Sequence, residues 1–286
     1  IIVVSFYVLI RSADALVEGA VELAKDLGIP KLIIGATIVS LGTTTPETAV
    51  SVMAALQNQP GLAIGNGVGS LIFDLAAILG ASIIFARIPI NERMVKRQSR
   101  IVLGSALLFC FFVYAFPDQY LQRWMGFVLV ACLGLYMYST FTWARRNRAS
   151  GDSDLPAEAP AQSDVKPRSA AMALLVMFIG LCFLLLSSHV LIPSVELSAV
   201  RMGIPQAVIA ATLVAIGTSL PEVMTALTSI RKGHPEIVLG NVLGADVLNL
   251  LFVIGVSASA VPLRLDPEFT LFQGPFMLAL LIMFQF

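Results

Sequence analysis

The chain states one segment twice. GATIVSLGTTTPE…PGLAIGNGVGSLIFDLAAILG at residues 35–80 returns as AATLVAIGTSLPE…PEIVLGNVLGADVLNLLFVIG at residues 210–255, without a gap and at a constant offset of 175 residues. Glu47 falls on Glu222, Pro46 on Pro221, Gly65 on Gly240 and Asp74 on Asn249. A repeat that keeps its Gly, Pro and acidic positions inside apolar sequence implies two half-sites built alike, with one composite site between them.

The surrounding sequence decides the solvent. Hydrophobic residues make up 57% of the chain and charged residues 13%, against roughly 45–50% and about 25% in soluble domains, so the fold class is an all-α polytopic membrane protein. Net charge is zero and no basic patch is interleaved with aromatics, which gives no support for a nucleic-acid partner. Cys110, Cys132 and Cys182 lie in apolar runs and read as buried small hydrophobes, with no disulfide or metal-ligand spacing.

A spanning helix needs roughly 20 apolar residues, and about nine candidates emerge: 1–26, 30–56, 61–86, 98–116, 121–143, 169–200, 205–230, 236–261 and 268–286. The first half supplies five and the second four. With an opening at Ile1 and a close inside an apolar run, the expectation is two five-helix repeats, 1–144 and 169–286, the second incomplete and a tenth helix missing from this chain. Residues 145–168, rich in Pro, Ala, Ser and Asp, read as a flexible linker. If spans alternate sides, one face collects Lys25, Lys31, the cations of 87–100 and 145–168, Arg231 and Lys232, while the other holds Arg123, Arg201 and Arg264. The cation-rich face is expected in the cytoplasm, with the N-terminus outside. Five crossings separate the two copies, so their topology is inverted.

The repeated segment carries the chemistry. Pro46 has no N–H, so the carbonyl of Gly42 loses its helical partner and backbone oxygens near Gly42 and Thr43 are freed. Ser40, Thr43, Thr44, Glu47 and Ser51 share one face at helical spacing, and Thr218, Ser219 and Glu222, extended by Thr225, repeat it, with Ala215 keeping only its carbonyl at the place of Ser40. Glu47 lies roughly 24 Å along its segment at ~1.5 Å per residue, near the middle of a bilayer, where acids are rare and usually functional. The next helix of each half carries glycines at four-residue spacing, Gly65 and Gly69 against Gly240 and Gly244, which allow close helix approach. It also carries a polar stripe: Asn66, Ser70 and Asp74 in one copy, Asn241, Ala245 and Asn249 in the other. Asn66 and Asn241 read equally as helix cross-links. An oxygen-only set of carboxylates, hydroxyls, amides and carbonyls suits hard cations. Mutually exclusive occupancy of one acidic site is the physical basis of antiport.

These paired motifs, GTTTPE and GTSLPE followed by GNGVGS and GNVLGA, resemble the two repeats of the cation/calcium exchanger superfamily, in its sodium/calcium exchanger branch, over nearly the whole chain. The resemblance implies a ten-helix exchanger of the cell membrane that passes Ca²⁺ and Na⁺ alternately, with no cofactor and no enzymatic activity, its partners being the bilayer and the ions. It implies calcium ligation by Glu47 and Glu222 with the carbonyls of Thr43 and Thr218. Flanking sodium sites would draw on the Ser40 carbonyl, Thr44 and Ser70 in one half, and the Ala215 carbonyl and Ser219 in the other. Helices 1 and 6 would rock against the rest.

Two departures stand out. Ala245 replaces a hydroxyl common in such exchangers, and the third carboxylate is in the first half, Asp74 facing Asn249. Both leave the coupling ion open between Na⁺ and H⁺. Asp246, about 100° around its helix from Ala245, is expected at the rim or facing water. A passive channel and an aspartyl protease built on Asp74 and Asp246 fit less well, because the repeat is internal to one chain and the two aspartates are not equivalent positions.

Overall fold

The computed structural model describes residues 1–88, 92–116, 120–149, 169–203, 215–265, 267 and 269–285. Most of the linker (150–168), the first residues of the second motif (210–214) and the start of the expected 205–230 helix lie outside the described residues.

The helices are α1 (Ile2–Leu27), α2 (Lys31–Thr43), α3 (Thr45–Leu56), α4 (Pro60–Phe85), α5 (Glu92–Ala115) and α6 (Arg123–Ala149), then α7 (Ala170–Arg201), α8 (Ala215–Thr218), α9 (Leu220–Arg231), α10 (Pro235–Ala260) and α11 (Phe269–Met283). The expected single helix over 30–56 is two, α2 and α3. Thr44 leaves helical geometry at φ −81°, ψ 1°, because Pro46 in the next turn lacks an N–H and its ring crowds the preceding carbonyls. The break recurs at Ser219, φ −85°, ψ 8°, ahead of Pro221.

The sequence repeat is a repeat of backbone geometry. Prolines 46, 60, 221 and 235 each open a helix, where a missing N–H costs nothing. Left-handed residues stand at repeat-related pairs: Gly28 (φ 59°) with Gly203 (φ 77°), and Asn58 (φ 57°) with Gly233 (φ 74°). Gly28 closes α1 by returning its N–H to the last turn, which a glycine at positive φ does without Cβ strain. Extended residues end α4 at Ala86 and α10 at Val261. Both helices also contain a π-helical turn at equivalent places, Asp74–Leu79 and Asn249–Ile254.

Five helices among the described residues are long and apolar enough to cross a membrane: α4, α5, most of α6 and α7, and α10. α2 and α11 are apolar but shorter, and α1, though 26 residues long, carries Arg11, Asp14, Glu18, Glu22, Lys25 and Asp26. α10 forms the centre, with 94% of its apolar window buried. α2 packs along its first half and α6 along its second. These contacts are backbone-close: a Cβ on Gly35 would come within 2.8 Å of the Ile237 carbonyl, and one on Gly126 within 2.6 Å of the Gly255 carbonyl, as small residues permit between membrane helices. α1 runs along α7 in the most extensive pairing of described elements, and α1 also touches α9. At one end, Tyr120–Leu121 and Leu263–Arg264 form a short antiparallel bridge, and Arg123 donates to the Ala260 carbonyl at the close of α10. At the other, Lys31 pairs with Glu236 at 3.0 Å. Arg123 and Arg264 thus share one end, and Lys31 lies at the other beside the turn after Arg231 and Lys232, as the expected division of cations requires.

Of the three cysteines only Cys110 is buried; Cys132 is half-buried and Cys182 exposed. The expectation of burial fails for Cys182 because α7 is peripheral, with 28% of its apolar window buried, so an apolar run there faces outward.

Candidate ion-binding site

Where the two breaks meet, polar side chains of both repeats come together. Ser40, Thr43, Thr44, Glu47, Ser51, Ser70 and Asp74 from the first repeat and Ser219, Glu222, Thr225, Asn241 and Asn249 from the second are all buried, and Thr218 is half-buried. Ala215 is placed at the start of α8. No three of His, Cys, Asp and Glu converge among the described residues as a metal cluster. A cation here would therefore meet at most two carboxylates together with hydroxyl, amide and carbonyl oxygens.

The two repeats reach across to each other in matched fashion. Thr218 and Ser219 stand beside the Glu47 carboxylate, and Thr43 stands beside that of Glu222. The contacts fall short of hydrogen-bond geometry for both oxygens of Glu47 and for Oε2 of Glu222. Thr43 donates to the Asn241 amide oxygen at 3.4 Å, and its repeat counterpart Thr218 donates to that of Asn66 at 3.5 Å. Glu47, Asp74 and Glu222 are near enough for their charges to repel. Buried carboxylate oxygens without donors are costly unless positive charge satisfies them, and here they belong to paired positions at a helix break.

The mismatched positions show in the geometry as well. Ser219 donates to the Ser70 hydroxyl at 3.4 Å. The repeat equivalent of that pair is Thr44 with Ala245, and the Thr44 hydroxyl is accordingly buried without a partner. Asn66 donates to the Glu47 carbonyl at 3.1 Å and to the Ser51 hydroxyl at 2.9 Å, so it is a cross-link. Asn241, whose corresponding neighbour is Ala226 in place of Ser51, has its amide nitrogen unsatisfied.

Some expected ligands are engaged locally. The Ser40 carbonyl accepts from the Thr44 N–H at 2.9 Å and from the Thr43 hydroxyl at 3.3 Å, and Thr225 returns its hydroxyl to Pro221 at 2.8 Å, so it does not extend the site. Asp246 departs from expectation: it is 0% exposed, because no face of the enclosed α10 reaches water. Gly240 and Gly244 do the packing foreseen for them, against Leu32 and Ala36 of α2. Sequence reading missed Tyr136, whose hydroxyl donates to the Ala36 carbonyl at 2.7 Å and so secures the π-helical turn Gly35–Val39 just ahead of Ser40. A lone Tyr in an apolar helix carries no signal of that role.

Comparison with known proteins agrees with this architecture. The family described as sodium/calcium exchanger protein matches residues 1–142 and 172–286. The inner membrane protein YrbG of Escherichia coli (strain K12) is 30% identical over 269 residues, covering 93% of this chain and 81% of its own length. The sodium/calcium exchanger MaX1 of Methanosarcina acetivorans is 28% identical, covering 98% and 88% respectively. Among solved structures, the sodium-calcium exchanger NCX_Mj superposes with a TM-score of 0.80 over 99% of this chain and 88% of that one, at 24% identity, and so shares the fold. Duplicated motif, repeat-related helix breaks, buried glutamates and family match converge: this chain belongs to the sodium/calcium exchanger protein family, a family of membrane transporters and not of enzymes.

Proposed function

We propose that this chain is a secondary active antiporter that exchanges Ca²⁺ for Na⁺ by alternating access, with Glu47 and Glu222 as the carboxylates that hold Ca²⁺. The observation that carries the reading is the reciprocal crossing of Glu47 and Glu222 with hydroxyls of the opposite repeat, their oxygens buried without full hydrogen bonds. Two carboxylates with surrounding neutral oxygens match a hard divalent cation. The carbonyls of Thr43 and Thr218 complete the calcium position. Ser40 (through its carbonyl), Thr44, Ser70, Ala215 (through its carbonyl) and Ser219 serve Na⁺ on either side, and Asp74 and Asn249 lie between. Loading one ion set displaces the other, and α1 with α7 moves relative to the rest. The protein sits in the cell membrane, the inner membrane in a cell that has two, with its N-terminus outside and the 145–168 linker between the repeats 1–144 and 169–286 in the cytoplasm.

The test is Ca²⁺ uptake by proteoliposomes under imposed gradients. An outward Na⁺ gradient is expected to drive uptake, and Glu47→Gln to reduce it at least 100-fold. Full Na⁺-driven uptake by Glu47→Gln would overturn the assignment. The partnerless Thr44 hydroxyl opposite Ala245 favours one second reading, H⁺ as the coupling ion, which an H⁺ gradient acting without Na⁺ would establish.

A further inference from the structure

One buried acid is unused by the exchange scheme. Asp246 has Leu71 as its repeat counterpart, and both side chains are 0% exposed, so the twofold pattern does not call for a carboxylate there. Neither Asp246 oxygen has a hydrogen-bond partner among the described residues. An ionised carboxylate left alone in such an interior costs several kcal/mol, and nothing in packing repays it. Its surroundings do point to a ligand. Asp246 lies near enough to Asp74 for their charges to repel, and Asp74 in turn neighbours both glutamates. Because no three acids converge, the four carboxylates form two pairs joined at Asp74. Asn249 follows Asp246 by three residues on the same helix, about 4.5 Å along and ~60° around. Its amide oxygen and Oδ1 of Asp74 are likewise buried without partners. Asp74 and Asn249 begin the two π-helical turns, where α4 and α10 come close: a Cβ on Gly67 would stand 3.1 Å from the Asn249 carbonyl.

We propose that Asp246, Asp74 and the amide oxygen of Asn249 form a further cation position, on the far side of Asp74 from the glutamates, that takes a monovalent hard cation such as Na⁺. Two carboxylates and an amide offer only oxygen, which selects hard ions. The orphaned oxygens of these three residues are fewer than the six to eight that Ca²⁺ gathers, and a second divalent ion so near the glutamate pair would be repelled. The role in transport rests on the exchange reading above: this ion would be bound or released within the cycle and raise the number of monovalent ions moved.

The experiment counts ions on the full chain purified in detergent. Equilibrium binding of radioactive Na⁺ is measured for the unaltered protein, Asp246→Asn and Asp246→Leu, together with the Hill slope for Na⁺ displacing Ca²⁺. Leu is what the repeat counterpart already carries at this depth and it removes the cost of burying a charge, so Asp246→Leu is expected to fold, with thermal unfolding as the check. Both variants are expected to bind one Na⁺ fewer per chain and to lower the slope by about one. An unchanged Na⁺ count in both overturns the proposal. So does an unchanged count with one fewer proton released on ion loading, which assigns Asp246 to a proton. Absence of Na⁺-driven Ca²⁺ uptake by the unaltered protein in vesicles would instead overturn the exchange reading, and the binding count does not depend on it.

Discussion

At the residue scale, the matched positions build the site and the mismatched ones tune it. Ser219 meets Ser70, whereas Thr44 meets Ala245 and keeps an unsatisfied hydroxyl, which costs about 1–3 kcal/mol in a buried setting. Ala245→Ser restores the missing half of the pair. It is expected to raise the midpoint of thermal unfolding and, where Na⁺ is the coupling ion, to lower the half-saturating Na⁺ concentration for Ca²⁺ uptake several-fold. An unchanged Na⁺ dependence alongside raised stability would mean that this flank holds no Na⁺. The glutamates, their hydroxyl neighbours and the Asp74/Asn249 exchange were legible in the sequence because a duplicated chain tests each polar residue against its twin. Asp246 was misjudged for a physical reason: an angle from the polar stripe says which way a side chain points on its helix, but not whether that direction leads to water. Only the enclosure of α10 settles that. Tyr136 was invisible because its target is a backbone carbonyl, which sequence does not single out.

At the element scale, the helix breaks and helix starts were readable, since Pro removes a donor wherever it stands and marks both Thr44 and Ser219. The π-helical turns were not: Asp74–Leu79 and Asn249–Ile254 contain ordinary helix-forming residues, and the wide turn is fixed by what packs against it. The glycine spacing foretold close approach, and the structure supplies the partner. A Cβ at Gly244 would stand within 2.6 Å of the Ala36 carbonyl and of the Ser40 hydroxyl, so the α2–α10 contact leaves no room for a side chain. Gly244→Val is therefore expected to push α2 outward, to cost at least ~1–3 kcal/mol by overpacking and to abolish Ca²⁺ uptake, because α2 delivers Ser40 and Thr43. Gly104→Val on α5, where an added carbon meets nothing among the described residues within 4 Å, is the control. Equal thermal stability of the two variants would show that the α2–α10 contact is not what sets the position of α2.

At the scale of the whole molecule, the question is what moves. α1 and α7 pack on each other more than on any other described element, as two helices travelling together should. The charges that would make α1 a poor isolated span are partly spoken for: Asp14 pairs with Arg231 and, at 3.8 Å, with Lys232, while Glu18 pairs with Lys232 at 2.6 Å. These contacts tie α1 to the end of α9, the helix that carries Glu222. Exposed ion pairs contribute little to stability, and here Arg231 and Glu18 are more than half exposed, so the set suits a latch that one state closes and another opens. If α1 and α7 slide during exchange, the link from Asp14 to Arg231 must break in each cycle. Asp14→Cys with Arg231→Cys, in a chain whose Cys110, Cys132 and Cys182 are replaced, can be bridged by a reducible bifunctional thiol reagent. The bridge is expected to stop Ca²⁺ uptake while leaving Ca²⁺ binding in detergent intact, and reduction to restore uptake. Undiminished uptake with the bridge in place would mean that α1 and α9 stay together throughout the cycle, and that access alternates by motion elsewhere in the bundle.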